Sequence, residues 1–252
     1  MVLEHNTGRL YTSFPDAHAF WKYYSEYKGR RCFYWINRSH GQAEETSLLH
    51  FDIEWLSTTT EDDPTTEERL QILRTAINNC LPKPCEFTLE RLSRPSPKGN
   101  HEWKNSWHLY AKDITFENNA QGCMLDFVRD KVWKKIKAHP LMRCPVQRKP
   151  ILDLSVYSKN RCWRVPGSTK WAEWPGENKS LPEMDFFMQT RMSDRQGSPT
   201  FSARELAITK ERHRKRKLNP NTCPIPHTRA NGQKKRGCKW MIYGDSRAST
   251  CK

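Results

Sequence analysis

What the chain lacks narrows its class first. No apolar run approaches the length of a membrane span, and the N-terminus has no apolar signal core. The sequence therefore reads as a soluble intracellular protein with no membrane partner. There is no G-x-x-x-x-G-K-[ST] string, so a nucleotide-driven unwinding motor is not encoded here. No internal repeat is visible. The nine cysteines are odd in number and lack a disulfide-scaffold spacing, which fits reduced thiols. Hydrophobic residues are sparse at 36%, but 10 Trp and 8 Tyr compensate, because each buries a large area. Acidic residues are scarce as well, 28 against 43 Lys+Arg, for a net charge of +15. Residues 203–252 hold 14 Lys+Arg against 3 Asp+Glu, a net +11, which leaves +4 on everything before them. A basic tail on a nearly balanced body suggests an anionic partner, most commonly nucleic acid. The alternative is a solvated tail that serves only for targeting.

At 252 residues the chain is long enough for one large domain, or one domain with an appendage. Pro15 is placed to open a helix that continues over 16–27 with an aromatic face. Residues 31–37 and 48–56 read as strands. Asp63-Pro64 looks like an N-cap followed by proline at the first helical position, and the helix carries Leu70, Leu73, Ile77 and Leu81 at helical spacing. A strand is expected over 85–92, a polar loop over 93–105 and a short strand over 106–111. Residues 118–137 read as a helix with Met124, Phe127, Val128 and Ile136 facing inward. A strand over 150–157 with a hairpin partner at 162–166, and a helix over 185–192, complete the body. Its edge falls near Asp194, giving a folded core over 1–194 and a basic tail over 195–252. The irregular mixture of helices and strands points to an α+β class.

One string carries most of the chemistry: His50-Phe51-Asp52-Ile53-Glu54-Trp55. On a strand, alternation puts Asp52 and Glu54 on one face and Phe51, Ile53 and Trp55 on the other. Two carboxylates about 7 Å apart on one face suit divalent metal binding. Such a pair alone more often marks a solvated face. Asp153 strengthens the case, because it sits in Pro-Ile-Leu-Asp-Leu-Ser-Val, where a lone charge is costly unless paired or metal-bound. Ser106 and His108 share a strand face in Ser-Trp-His. Lys159, Arg161, Arg164 and Lys170 follow Asp153 closely, as cations of a triphosphate clamp would. Their plainer reading is charge neutralisation on a hairpin.

These strings resemble the archaeo-eukaryotic primase superfamily, whose signature is an apolar strand with D-x-E, then S-x-H, then a third strand carrying Asp. Here they are FDIEW, SWH and ILDLSVYSKNRCWRVPGSTK, in that order. The last resembles the branch that holds PrimPol and the primases of herpesviruses and large DNA viruses. Gly8-Arg9-Leu10-Tyr11 and residues 181–193 extend the likeness, which spans about residues 8–193. The resemblance implies an RRM-like catalytic sheet beside a smaller N-terminal α/β unit. It implies a DNA-directed primase-polymerase that uses nucleoside triphosphates on a single-stranded DNA template. Asp52, Glu54 and Asp153 would hold two Mg²⁺ or Mn²⁺ ions. Lys104, Ser106, His108, Arg164 and Lys170 would bind the nucleotide, Arg161 the nucleotide or the template, and Arg9 and Arg31 the template. Cys162 departs from the family, which often places Asn there.

Relatives of this branch often carry zinc after the core, with ligand order Cys, His, Cys, Cys. The tail offers Cys223, His227, Cys238 and Cys251, but without the tight C-x₂₋₄-C pair usual in zinc sites. Free cysteines are the alternative. Residues 212–217 and 234–236 form basic clusters that fit either a nuclear import signal or a grip on template phosphates. A separate helicase and a single-strand-binding protein are the expected partners, and the nucleus the expected location. Two other functions compete. In a two-metal nuclease a Lys two residues after the second acid is usual, and Leu56 stands there. A non-catalytic nucleic-acid-binding module has no use for three carboxylates facing a polyanion.

Overall fold

The structure is a computed structural model. It describes residues 1–5, 8–37, 46–59, 61–96, 102–117, 123–158, 161–173 and 176–192, with the backbone of three two-residue strands beyond them. The chain divides into two compact units, Met1–Ile208 and Thr209–Lys252. The expected edge near Asp194 falls outside the described residues.

The first unit is α+β, as expected, with two sheets among the described residues. One sheet runs in the order β2 (Gly8–Tyr11), β1 (Val2–His5), β3 (Phe33–Asn37) and β8 (Arg161–Arg164). Between β2 and β3 lies α1 (Ala17–Glu26). Asp16 caps it by accepting the Ala19 N–H at 2.8 Å. Pro15, expected at the first helical position, stands before that cap, because the Asp16 carboxylate is the better partner for the free N–H groups. The aromatic face of α1 is real: Phe20 and Tyr24 are buried and pack edge-on against Phe33. Phe187 of α5 (Met184–Thr190) closes the same cluster.

The other sheet is built on β4 (Ser47–Ser57), β7 (Trp103–Phe116) and β5 (Phe87–Arg91) in that order, all antiparallel. Short strands β6 (Arg94–Pro95) and β9 (Thr200–Phe201) also pair with β7. Phe51, Ile53 and Trp55 are buried in one core with Leu70, Leu73 and Ile77 of α2 (Thr66–Asn78). A second helical segment adds Met124, Phe127, Val128 and Ile136 to that core. It runs from α3 (Met124–Asp126) through a π-helical stretch, Phe127–Trp133, into α4 (Lys134–Ile136). No described helix is long and apolar enough to cross a membrane.

Several boundaries differ from expectation. α2 starts at Thr66, not Pro64. The Asp63 carboxylate accepts from Thr65 N, Thr65 Oγ1 and Trp55 Nε1 instead, which holds Pro64 in a turn ahead of the helix. β7 extends well past the expected 106–111 at both ends, because β4 supplies a ladder partner along most of its length. The loop expected over 93–105 shrinks accordingly, and Arg94 pairs with Lys104.

The strand expected over 150–157 is not one. Leu152 makes a single antiparallel bridge to Ile53. The chain then turns into a 3₁₀ helix at Leu154–Tyr157, capped by Asp153, whose Oδ1 accepts the Ser155 N–H at 2.8 Å. Nor is 162–166 its hairpin partner: β8 pairs with β3, joining Trp163 to Trp35. After β8 the chain reverses at Gly167, whose φ is +78°, and a Cβ there would meet Pro182 Cδ at 2.8 Å. Glycine is required at this turn on both counts.

In the second unit, Trp240–Met241 pairs antiparallel with Thr250–Cys251. Cys223, His227 and Cys238 lie outside the described residues, and of Cys251 only the backbone is described.

Candidate active site

The site is laid out by alternation on β4. From Phe51 to Trp55, buried apolar side chains alternate with the half-buried Asp52 and Glu54. In the ladder, Asp52 stands opposite His108 and Glu54 opposite Ser106. Opposite residues of an antiparallel pair share a face, so these four side chains project together. His108 and Ser106 are both 4% exposed.

Asp153 joins them from the free edge of β4. Its N–H donates to the Asp52 carbonyl at 2.9 Å, and the Glu54 N–H donates to the Ile151 carbonyl at 2.7 Å. The bridge between Ile53 and Leu152 lies between those bonds. Asp153 is therefore the cross-strand neighbour of Asp52, on the same face. Three carboxylates from two distant parts of the chain thus share one patch. Burial, together with repulsion from Glu54 and Asp153, raises the Asp52 pKa, while His108 and Arg164 oppose that rise. Like charges placed directly across from one another are destabilising, unless a cation lies between them.

A wall of rings stands beside the carboxylates. The Trp163 indole packs over the His108 imidazole at 4.2 Å between centroids and meets His50 edge-on at 4.3 Å. Burial lowers the His50 pKa to about 4, and its ring stays neutral. Tyr157, whose hydroxyl donates to the His50 carbonyl, has its pKa raised by burial and by the charges of Asp52 and Asp153.

The expected cations divide into groups. Arg164 acts electrostatically on Asp52, Glu90 and Glu173, and its Nε is buried without a partner. Lys104 sits on Glu54 at 2.5 Å. Lys170 bonds Glu173 at 3.3 Å, and Arg94 holds the other oxygen of that carboxylate at 2.8 Å. Arg161 is exposed at the start of β8. Arg9 is exposed on β2 with Nη1 3.8 Å from Cys162 Sγ, beside the third motif. Arg31, expected to face the template, is instead only 9% exposed. Its guanidinium lies over the Tyr24 ring and donates to the Lys179 carbonyl, because the chain after Gly167 folds back across it. Lys159 is outside the described residues.

Three side chains in the site escaped the sequence reading. Glu90 accepts from His108 Nδ1 at 3.0 Å and from the Tyr110 hydroxyl at 3.0 Å. Trp163 Nε1 donates to the Tyr110 oxygen at 3.2 Å. Arg94 adds a cation beside Lys170. The signal for Glu90 was a lone acid in a strand, visible only once the register with His108 was known.

By donor chemistry alone, Asp52, Glu54 and Asp153 are hard, mutually repelling oxygen ligands of the kind that Mg²⁺ or Mn²⁺ takes. Their side chains are otherwise engaged, with Glu54 on Lys104 and Asp153 on Ser155. Among the described residues, no group of three His, Cys, Asp or Glu side chains is arranged to hold an ion.

No protein-family model matches the chain, and no curated protein shows significant similarity to it.

Proposed function

We propose that this chain is a DNA-directed primase-polymerase, adding nucleotides on a single-stranded DNA template. The observation that carries this reading is the backbone pairing of Asp153 with Asp52. Two motifs about a hundred residues apart meet on one face, together with His108, Ser106 and Arg164. That convergence is what a nucleotidyl-transfer site needs. Asp52, Glu54 and Asp153 would hold Mg²⁺ or Mn²⁺, which when bound activates the attacking hydroxyl and neutralises charge on the leaving oxygens. Arg164 and Lys170 bind triphosphate charge, and Lys104 is released from Glu54 to do the same. His108 and Ser106 orient the phosphates from the adjacent strand. Keeping the reacting groups in fixed register is the largest contribution a rigid strand pair makes.

A strand-extension assay tests this, with primed and unprimed single-stranded DNA, each nucleotide type, and Mg²⁺ or Mn²⁺. Extension of a primer supports a polymerase, and products on unprimed template a primase. Shortening of the input strand would mean a nuclease instead. Binding with neither outcome would support a non-catalytic module, the reading favoured by the Lys104–Glu54 ion pair.

A further inference from the structure

We infer that Glu90 is a positioning residue of this site: it holds the His108 imidazole with Nδ1 protonated and so presents Nε2 to the nucleotide. The role of the nucleotide rests on the proposed function, whereas the orientation of the ring rests on geometry.

His108 stands in the ladder between two carboxylates, Asp52 on β4 and Glu90 on β5. Its Nδ1 lies 3.0 Å from Glu90 Oε2. An ionised carboxylate only accepts, so the proton of that bond belongs to Nδ1. Glu90 is held ionised: burial raises its pKa, but His108, Tyr110 and Arg164 outweigh that and leave it lowered. The same Oε2 accepts from the Tyr110 hydroxyl, which in turn accepts from the Trp163 indole. Trp163 also lies over the imidazole, 36° from parallel. The ring is therefore fixed in its plane by Glu90 and from above by Trp163. Nε2 has no hydrogen-bond partner among the described residues. Setting one imidazole nitrogen through a carboxylate on the other is a general way to fix tautomer and orientation. The Glu90 side chain is 12% exposed, and burying a carboxylate is costly without such a use.

The test uses the full chain with ¹⁵N-labelled histidine, the His108 signals being assigned by their loss in His108→Ala. The wild type should show the Nδ1–H tautomer. Glu90→Leu should move His108 toward the Nε2–H form and lower kcat by about 10- to 100-fold, with template affinity unchanged. Glu90→Gln keeps an acceptor oxygen in place and should restore the tautomer and most of the rate. The double variant Glu90→Leu/His108→Ala should be no slower than His108→Ala. If Glu90→Leu does not fold, Glu90→Asp, which withdraws the carboxylate by one methylene, carries both readouts. An unchanged His108 signature in Glu90→Leu or Glu90→Asp would overturn the inference. So would a rate loss that adds to that of His108→Ala. If the wild type extends no strand, the functional reading fails, and the tautomer signature alone still decides the role of Glu90.

Discussion

The two faces of β4 obey opposite rules within five residues. On one face Phe51, Ile53 and Trp55 are buried in the main core; on the other Asp52 and Glu54 stay half-buried beside a third carboxylate. The first face stabilises the fold by removing apolar surface from water. The second costs stability, because it gathers like charges. A single strand serves both purposes because side chains alternate, so substitutions one residue apart should have unrelated consequences.

The largest effect expected is on chemistry. Asp52→Ala, Glu54→Ala or Asp153→Ala should each abolish strand extension while template binding survives, since each removes a ligand of the proposed metal site. Thermal stability should hold or rise in Asp52→Ala, whereas Asp153→Ala also removes the cap of the 3₁₀ helix and should lose some. Full extension by any one of them would remove the assignment. On the opposite face, Ile53→Ala should cost about 2–5 kcal/mol of stability, with activity per folded molecule retained. Chemical denaturation separates that from a catalytic loss.

Next come the clamp residues. His108→Ala, Arg164→Ala and Lys170→Ala should reduce nucleotide binding or transfer by roughly 10- to 1000-fold each. A primary effect on DNA affinity would reassign them to the template. Smaller still is an effect of pH on the metal-free protein. The folded-state pKa of Asp52 is raised, so this group favours the fold increasingly as pH falls toward the ordinary carboxylate value of 3.8. His50 acts the other way: its pKa is lowered from 6.5 to about 4, so its contribution is lost as pH falls through that window. Asp52→Asn removes the first group alone, and its stability should therefore fall more steeply than the wild type's between pH 6.5 and 4. Parallel denaturation curves would mean that Asp52 is no more strained than an ordinary surface carboxylate.

The smallest effect concerns the tail. Deleting residues 203–252 removes +11 of the +15 net charge. If the tail grips phosphates, each lost contact should flatten the log–log salt dependence of single-strand binding by about 0.7. An unchanged slope would leave import as its role.

Much of this site was legible in the sequence, because a period of two on an apolar strand fixes which face Asp52 and Glu54 share. The helix carrying Leu70, Leu73 and Ile77 was legible for the same reason, with a different period. Asp153 was legible as a misplaced charge but not in its local structure. Ser155 offers its N–H to the Asp153 carboxylate, and that local bond turns the chain into a 3₁₀ helix where apolar composition suggested a strand. The partner of β8 was not legible, because β3 lies far away in sequence and pairing registers leave no local trace. Glu90 stayed hidden for that reason too: its meaning lies in being opposite His108. Arg31 was expected at the template because the resemblance aligns it with a basic N-terminal position, which carries no information on burial, and the fold-back after Gly167 buries it.

The bonds that bring Asp153 to Asp52 have a second consequence. β4 ends its sheet, and an unpaired strand edge is a template for joining another chain. Residues 151–153 occupy that edge along Asp52–Glu54, satisfying Asp52 O and Glu54 N. The segment that completes the carboxylate patch is thus also the guard of the sheet's open side, and loosening it would cost solubility along with the proposed activity.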